Sequence, residues 1–168
     1  DLPLNAAFRV ADELLLQSIR GVSDMIAKEG IVNLDFEDLR SVMENGGGVA
    51  MIGHGEGTGE GRILKATEEA LSSPLLEIDV SDARGALINV VGGNDLTLGE
   101  AEQCAKIIRD RINPHARIIW GATSEADGHD GSVRVLVVLT GVQSEQIHGA
   151  KMRSSIADAK ARAIQFIG

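Results

Sequence analysis

Three residues of this 168-residue chain stand close enough together to act on one water: Asn33, Asp35 and Asp38. Two carboxylates and an amide within six positions can accept a water's protons or hold a cation beside it. The same residue types also begin helices. Asp35 suits an N-cap, and Asp38 falls three residues later, where the helix dipole favours an acid. Spacing alone does not separate the two readings.

A second segment invites a phosphate. Residues 53–61 read GHGEGTGEG, between a candidate strand and a candidate helix. Gly-rich turns in that setting cradle phosphate at a helix N-terminus. Glu56 and Glu60 would repel one, and no Lys, Ser or Thr stands where a phosphate loop needs it. The expectation is a mobile glycine-rich connection instead. His54, His115, His129 and His148 show no metal-ligand spacing, so no metal site is expected. Asp127, His129 and Asp130 read as a polar hairpin tip. Cys104 has no CxxC partner and reads as a buried structural thiol.

The elements that must position these residues follow from periodicity. Leu4, Phe8, Ala11, Leu15, Ile19, Val22 and Ile26 recur in steps of three and four, which predicts a helix over residues 3–28. On it, Phe8 reads as an apolar-face residue and Asp12, one turn on, as a solvent-facing acid. About 25 residues at 1.5 Å each make roughly 37 Å, enough to bridge two domains. A short helix over 35–44 follows, stopped by Gly46, Gly47 and Gly48. Then come a strand (48–53), a helix (62–71), a strand (86–91), a helix (97–112) and two strands (116–123 and 133–142). Thr97 and Glu100 have the spacing of a capping box. The order βαβαββ implies an α/β domain with a four-stranded mixed sheet and helices on one face. Residues 155–166 fit either an amphipathic helix or a tail that orders on binding.

Composition narrows the partners. A net charge of −9 with no dense Lys/Arg run argues against nucleic acid. The single Cys104 forms no internal disulfide and suits a reducing, cytosolic setting. No apolar run approaches the roughly 18 residues of a membrane span, so no membrane insertion is expected. The chain opens DLPLNAAF, without an initiator Met, and reads as cut from something longer.

Several segments, in order, resemble one family. NAAFRVADELL (5–15) is similar to the central helix of the FtsZ family, and GIVNLDFEDLRSVM (30–43) to its synergy loop and the following helix. GGGVAMIG (46–53), NDLTLGEAE (94–102), ARIIWGA (116–122) and VRVLVVLTG (133–141) fall where that family has its C-terminal strands and helices. The wording resembles archaeal members. On this resemblance the chain divides into a central helix (1–29), the synergy loop with a short helix (30–46), a C-terminal α/β domain (47–143) and a tail (144–168).

The resemblance implies a cell-division GTPase that polymerises head to tail and acts in cytokinesis, in the cytoplasm at mid-cell. Asn33, Asp35 and Asp38 would complete hydrolysis of GTP held by the adjacent subunit. Asp35 and Asp38 would polarise the attacking water, and Asn33 would contact the nucleotide side. Phe8 would stack near the guanine, and Asp12 would accept hydrogen bonds from the base in the chain's own pocket. GTP and Mg2+ are the cofactors implied for the intact protein. The family's phosphate signature, GGGTGTG, is not in this sequence, so none is expected on the isolated chain. Other FtsZ subunits are the implied partners. The end, ARAIQFIG (161–168), resembles the peptide by which the family binds a membrane-tethering division protein, and an ordinary chain end fits it equally. The competing reading is a free-standing α/β regulatory or ligand-binding module. A small enzyme using Asp35 and Asp38 as acid and base lacks a companion nucleophile or His cluster.

Overall fold

The computed structural model describes residues 3–27, 30, 32, 35–45, 50–72, 80–125 and 130–142. The helical period holds at the start: α1 spans Leu4–Ala27. A short helix, α2, spans Phe36–Asn45. The strands are β1 (Ala50–Thr58), β2 (Gly85–Gly92), β3 (Arg117–Ser124) and β4 (Ser132–Thr140). Helix α3 (Arg62–Leu71) follows β1, and α4 (Leu98–Arg111) joins β2 to β3. The sheet runs β1-β4-β2-β3. Strand β4 is antiparallel to β1 and β2, while β2 and β3 are parallel, so the sheet is mixed as expected.

Alternate residues of each strand serve opposite faces. On one face Ala86, Ile88 and Val90 of β2 and Val133, Val135 and Val137 of β4 pack with Ala66 of α3 and Cys104 and Ile108 of α4. On the other, Leu87 and Val138 bury Val42 of α2, with Val22, Leu39 and Ile119 against them. Helices α3 and α4 thus share one face, and α2 with the end of α1 covers part of the other. Double coverage is why β2 reads as the nearly unbroken apolar run ALINVV. Most of α1 keeps an apolar row open: Leu4, Phe8, Leu15 and Ile19 are exposed.

The glycine-rich segment differs from its expectation. It is not a mobile connection but the body of β1, and Gly53, Gly55 and Gly57 occupy alternate positions on the α3 face. A Cβ on each would collide with the carbonyl oxygens of Ala70, Ala66 and Arg62 in turn. Helix α3 therefore lies with its backbone directly on the backbone of β1, and no side chain fits between them. The turn out of the strand needs glycine for another reason: Gly59 and Gly61 both have φ of 69°.

Cys104 is buried, as expected, and burial pushes its thiol up to about 11. The Thr67 hydroxyl donates to the Ile63 carbonyl at 2.6 Å and lies 3.2 Å from the Cys104 sulfur. The capping box also forms. The Glu100 N–H donates to Thr97 Oγ1 at 3.2 Å, and the Thr97 N–H donates to Glu100 Oε2 at 3.0 Å.

Glu100 has a second task. Buried Arg62, at the start of α3, donates from Nε to Glu100 Oε1 at 2.7 Å and from Nη1 to the Asp95 carboxylate. Asp95 also accepts the Gly131 N–H at 3.0 Å. One guanidinium thus ties the α3 start, the β2–α4 loop and the β3–β4 hairpin together. Its hydrogen bonds hold the Glu100 carboxyl down at about 2, against the opposing cost of burial. A depressed folded value means stability that is present above the ordinary 4.5 and lost as pH falls toward 2. Between pH 4.5 and 2, wild type is expected to lose on the order of 3 kcal/mol more than Glu100→Gln does. Urea midpoints of the two proteins across that range test it, and parallel curves would remove Glu100 from the account.

Candidate functional site

Gly30 and Val32 lie against the open edge of β3, and Asp35 directly precedes α2. Val32 forms a bridge with Ala122, donating to and accepting from its backbone at 3.2 Å each way. Gly30 lies so close that a Cβ there would stand 2.5 Å from the Ala122 carbonyl oxygen. Beyond the bridge, the Asp35 carbonyl accepts the N–H groups of Asp38 at 3.1 Å and Leu39 at 3.2 Å. Asp35 therefore stands at the N-cap position of α2, with Glu37 and Asp38 in the first turn. Register is set from within, because Leu39 and Val42 face the sheet and turn Asp38 toward its edge.

The two carboxylates differ in surroundings. Asp35 is exposed, and among the described residues no hydrogen bond or ion pair engages its carboxylate. The Asp38 side chain is half exposed and has Arg117 Nη2 at 3.9 Å from Oδ1. Both Asp38 and Arg117 line a shallow groove of about 400 Å³ beside α2, with Arg40 and Glu44 on its rim. Arg40 Nε is itself bound to Glu44 at 2.7 Å. Asn33 lies outside the described residues. Two acids at a helix start can orient a water belonging to a separate molecule where nothing among the described residues closes over them.

Phe8 and Asp12 are exposed on α1. At 1.5 Å per residue they lie about 28 Å and 22 Å back along the helix from Ala27. Phe8 and Asp12 thus lie on a different element from Asp35 and Asp38, far from the end of α1 that leads toward α2. Among the described residues, no three of His, Cys, Asp and Glu converge as a metal-ligand set. The described residues therefore do not form a cage for Mg2+. Of the hairpin acids, Asp127 and His129 lie outside the described residues, and Asp130 accepts the Asn94 N–H at 3.0 Å. The glycine-rich segment offers no phosphate cradle, because its glycine face is filled by α3.

Two arrangements escaped the sequence. The Arg62 junction joins residues 33 and 38 positions apart, and only the fold brings them together. Arg117 lies inside the ARIIWGA segment but carried no chemical signal of its own. Its signal is positional: it stands two residues before Ile119, and so on the face that receives α2.

A long open helix, an acid-bearing helix start and a β1-β4-β2-β3 sheet define a fold class that solved proteins share. Solved CetZ2 from Haloferax volcanii, in a GTPγS-bound protofilament, shares the fold at a TM-score of 0.65 and 17% identity, over 96% of this chain and 48% of that one. Sequence narrows the class. The family model for the FtsZ family, C-terminal domain, matches residues 48–143. The chain belongs to the FtsZ family. It is 51% identical over 148 residues to the cell division protein FtsZ of Haloferax mediterranei, covering 88% of this chain and 39% of that protein. Against cell division protein FtsZ 1 of Archaeoglobus fulgidus the figures are 48% over 149 residues, 89% and 40%. The solved empty FtsZ dimer of M. jannaschii superposes at a TM-score of 0.77 with 48% identity, over 84% of this chain and 40% of that one. The chain thus spans about two fifths of the length of the curated relatives it matches. No helix among the described residues is long and apolar enough to cross a membrane.

Proposed function

We propose that this chain is the half of a cell-division GTPase that supplies catalytic carboxylates to GTP held by the next subunit of a head-to-tail filament. One observation carries the reading. Asp35, exposed, and Asp38, half exposed, stand at the start of α2, while Asp12 and Phe8 lie about 22 Å and 28 Å back along α1 from Ala27. Two such sets act on two nucleotides rather than one. Asp35 and Asp38 accept the protons of the attacking water and hold it in line, the water-positioning role of phosphoryl transfer. Asn33 contacts the nucleotide side. Phe8 stacks on the guanine and Asp12 accepts from the base in the chain's own pocket. Mg2+, where it takes part, is held outside these residues, and no step here runs through it.

On this reading 1–29 is the central helix, 30–46 the synergy loop with its helix, 47–143 the α/β domain and 144–168 a partner-binding tail. A second domain of the whole protein covers the open apolar row of Leu4, Phe8, Leu15 and Ile19. A contact that joins one end of a subunit to the other end of the next is heterologous and builds open filaments. Such filaments act in the cytoplasm at the mid-cell division site, and residues 161–168 reach a membrane-tethering protein. The pure 168-residue chain is expected to bind GTP undetectably and to hydrolyse none, since it holds one wall of a pocket. Equilibrium binding and phosphate release by the pure chain test this. Measurable turnover would sink the two-subunit reading.

A further inference from the structure

We infer that Arg117 is a positioning residue for Asp38, so that strand β3 engages the chain before and after the start of α2, at Val32 and at Asp38. This rests on the function proposed above. One contact is the bridge between Val32 and Ala122. The other is the Arg117–Asp38 pair. The two anchor points are five residues apart on β3, about 17 Å at strand rise, and six residues apart on the loop side. Helix α2 fixes the Asp38 backbone but leaves its carboxylate free to rotate about the side-chain torsions. A cation fixed on β3 restricts it.

The Arg117 backbone is well placed to be that anchor. Its N–H donates to the Arg84 carbonyl at 2.9 Å, and its register against Gly85 of β2 is part of the sheet. Strand alternation puts its side chain on the face of Ile119, which packs on α2. The other guanidinium in the groove, Arg40, is held by Glu44. At 3.9 Å and half exposed on both sides, the pair steers the carboxylate without neutralising it by a close bidentate bond.

The test is steady-state GTP turnover of the full-length protein that carries this chain, measured above the assembly threshold, with assembly followed by sedimentation. Arg117→Ala is expected to lower kcat per assembled subunit about two- to fivefold, the range of an exposed pair, with KM and assembly unchanged. Arg117→Lys is expected to restore most of the loss, because a point charge suffices at this distance. Unchanged kcat in Arg117→Ala overturns the inference. So does a rise in kcat, which would make the pair a restraint on Asp38 rather than a guide. Equal loss in the Ala and Lys variants, in step with lost assembly, also overturns it by making Arg117 structural. Asp38→Ala separates the two levels: full turnover there fails the proposed function itself, whereas lost turnover with a silent Arg117→Ala fails this inference alone.

Discussion

Asp38→Ala in the full-length protein that carries this chain is expected to cut GTP turnover by about 10²- to 10⁴-fold, the usual contribution of a positioned proton acceptor. GTP binding should be unchanged. The reason is positional. Asp35, not Asp38, stands at the N-cap of α2, so removing Asp38 leaves the helix start in place. What α2 loses is a favourable dipole contact and the 3.9 Å pair with Arg117, each worth up to about 1 kcal/mol at an exposed site. Helix α2 is seated instead by Val42, which is fully buried, and by Leu39. Nucleotide affinity, sedimentation with a slowly hydrolysed GTP analogue and phosphate release measure the three quantities separately. Loss of binding in step with turnover would assign Asp38 to the fold rather than to the chemistry. Asp35→Ala is the companion variant, with a modest stability cost at most, because no bond to its carboxylate is present among the described residues.

Local signals carried most of the architecture. The four-residue steps of α1, the Thr97–Glu100 box and the apolar run of β2 each report on neighbours in sequence, and each element lies within a few residues of its expected bounds. The acids at 35 and 38 were visible because both of their readings, cap and catalyst, use the same residue types. Sequence could not choose between them, and in the structure Asp35 directly precedes α2 and Asp38 stands in its first turn, the places the cap reading gave them. Pairings across the fold were hidden. Arg62 meets Asp95 and Glu100, and Asp38 meets Arg117, only because the sheet folds these segments together. The glycine-rich segment was misread for a different reason. Its glycines at 53, 55 and 57 have the period of a strand, and Arg62, Ala66 and Ala70 have the period of one helix turn. Together those two periods specify a backbone-to-backbone contact.

That contact gives the second large expected effect. Gly55 lies at the centre of the β1–α3 interface, between Gly53 and Gly57. A Cβ there would meet the Ala66 carbonyl oxygen and the Ala70 amide nitrogen, which are backbone atoms and cannot rotate aside. Relief requires α3 to move away from β1. That movement would open the packing of Ile63, Ala66 and Ala70 and pull on the Arg62 junction at the helix start. Overpacking of a core usually costs about 1–3 kcal/mol, and a clash against backbone belongs at the upper end. Gly55→Ala is therefore expected to lower unfolding free energy by about 3 kcal/mol. Gly55→Val is expected to prevent folding at 37 °C, since a domain has only about 5–15 kcal/mol to lose. Gly99 serves as the control: it lies in α4 with nothing within 4 Å of its would-be Cβ. Gly99→Ala should stabilise by up to about 1 kcal/mol. Denaturant curves of the three variants decide the matter. Equal midpoints for Gly55→Ala and wild type would mean that α3 does not lie on the bare backbone of β1.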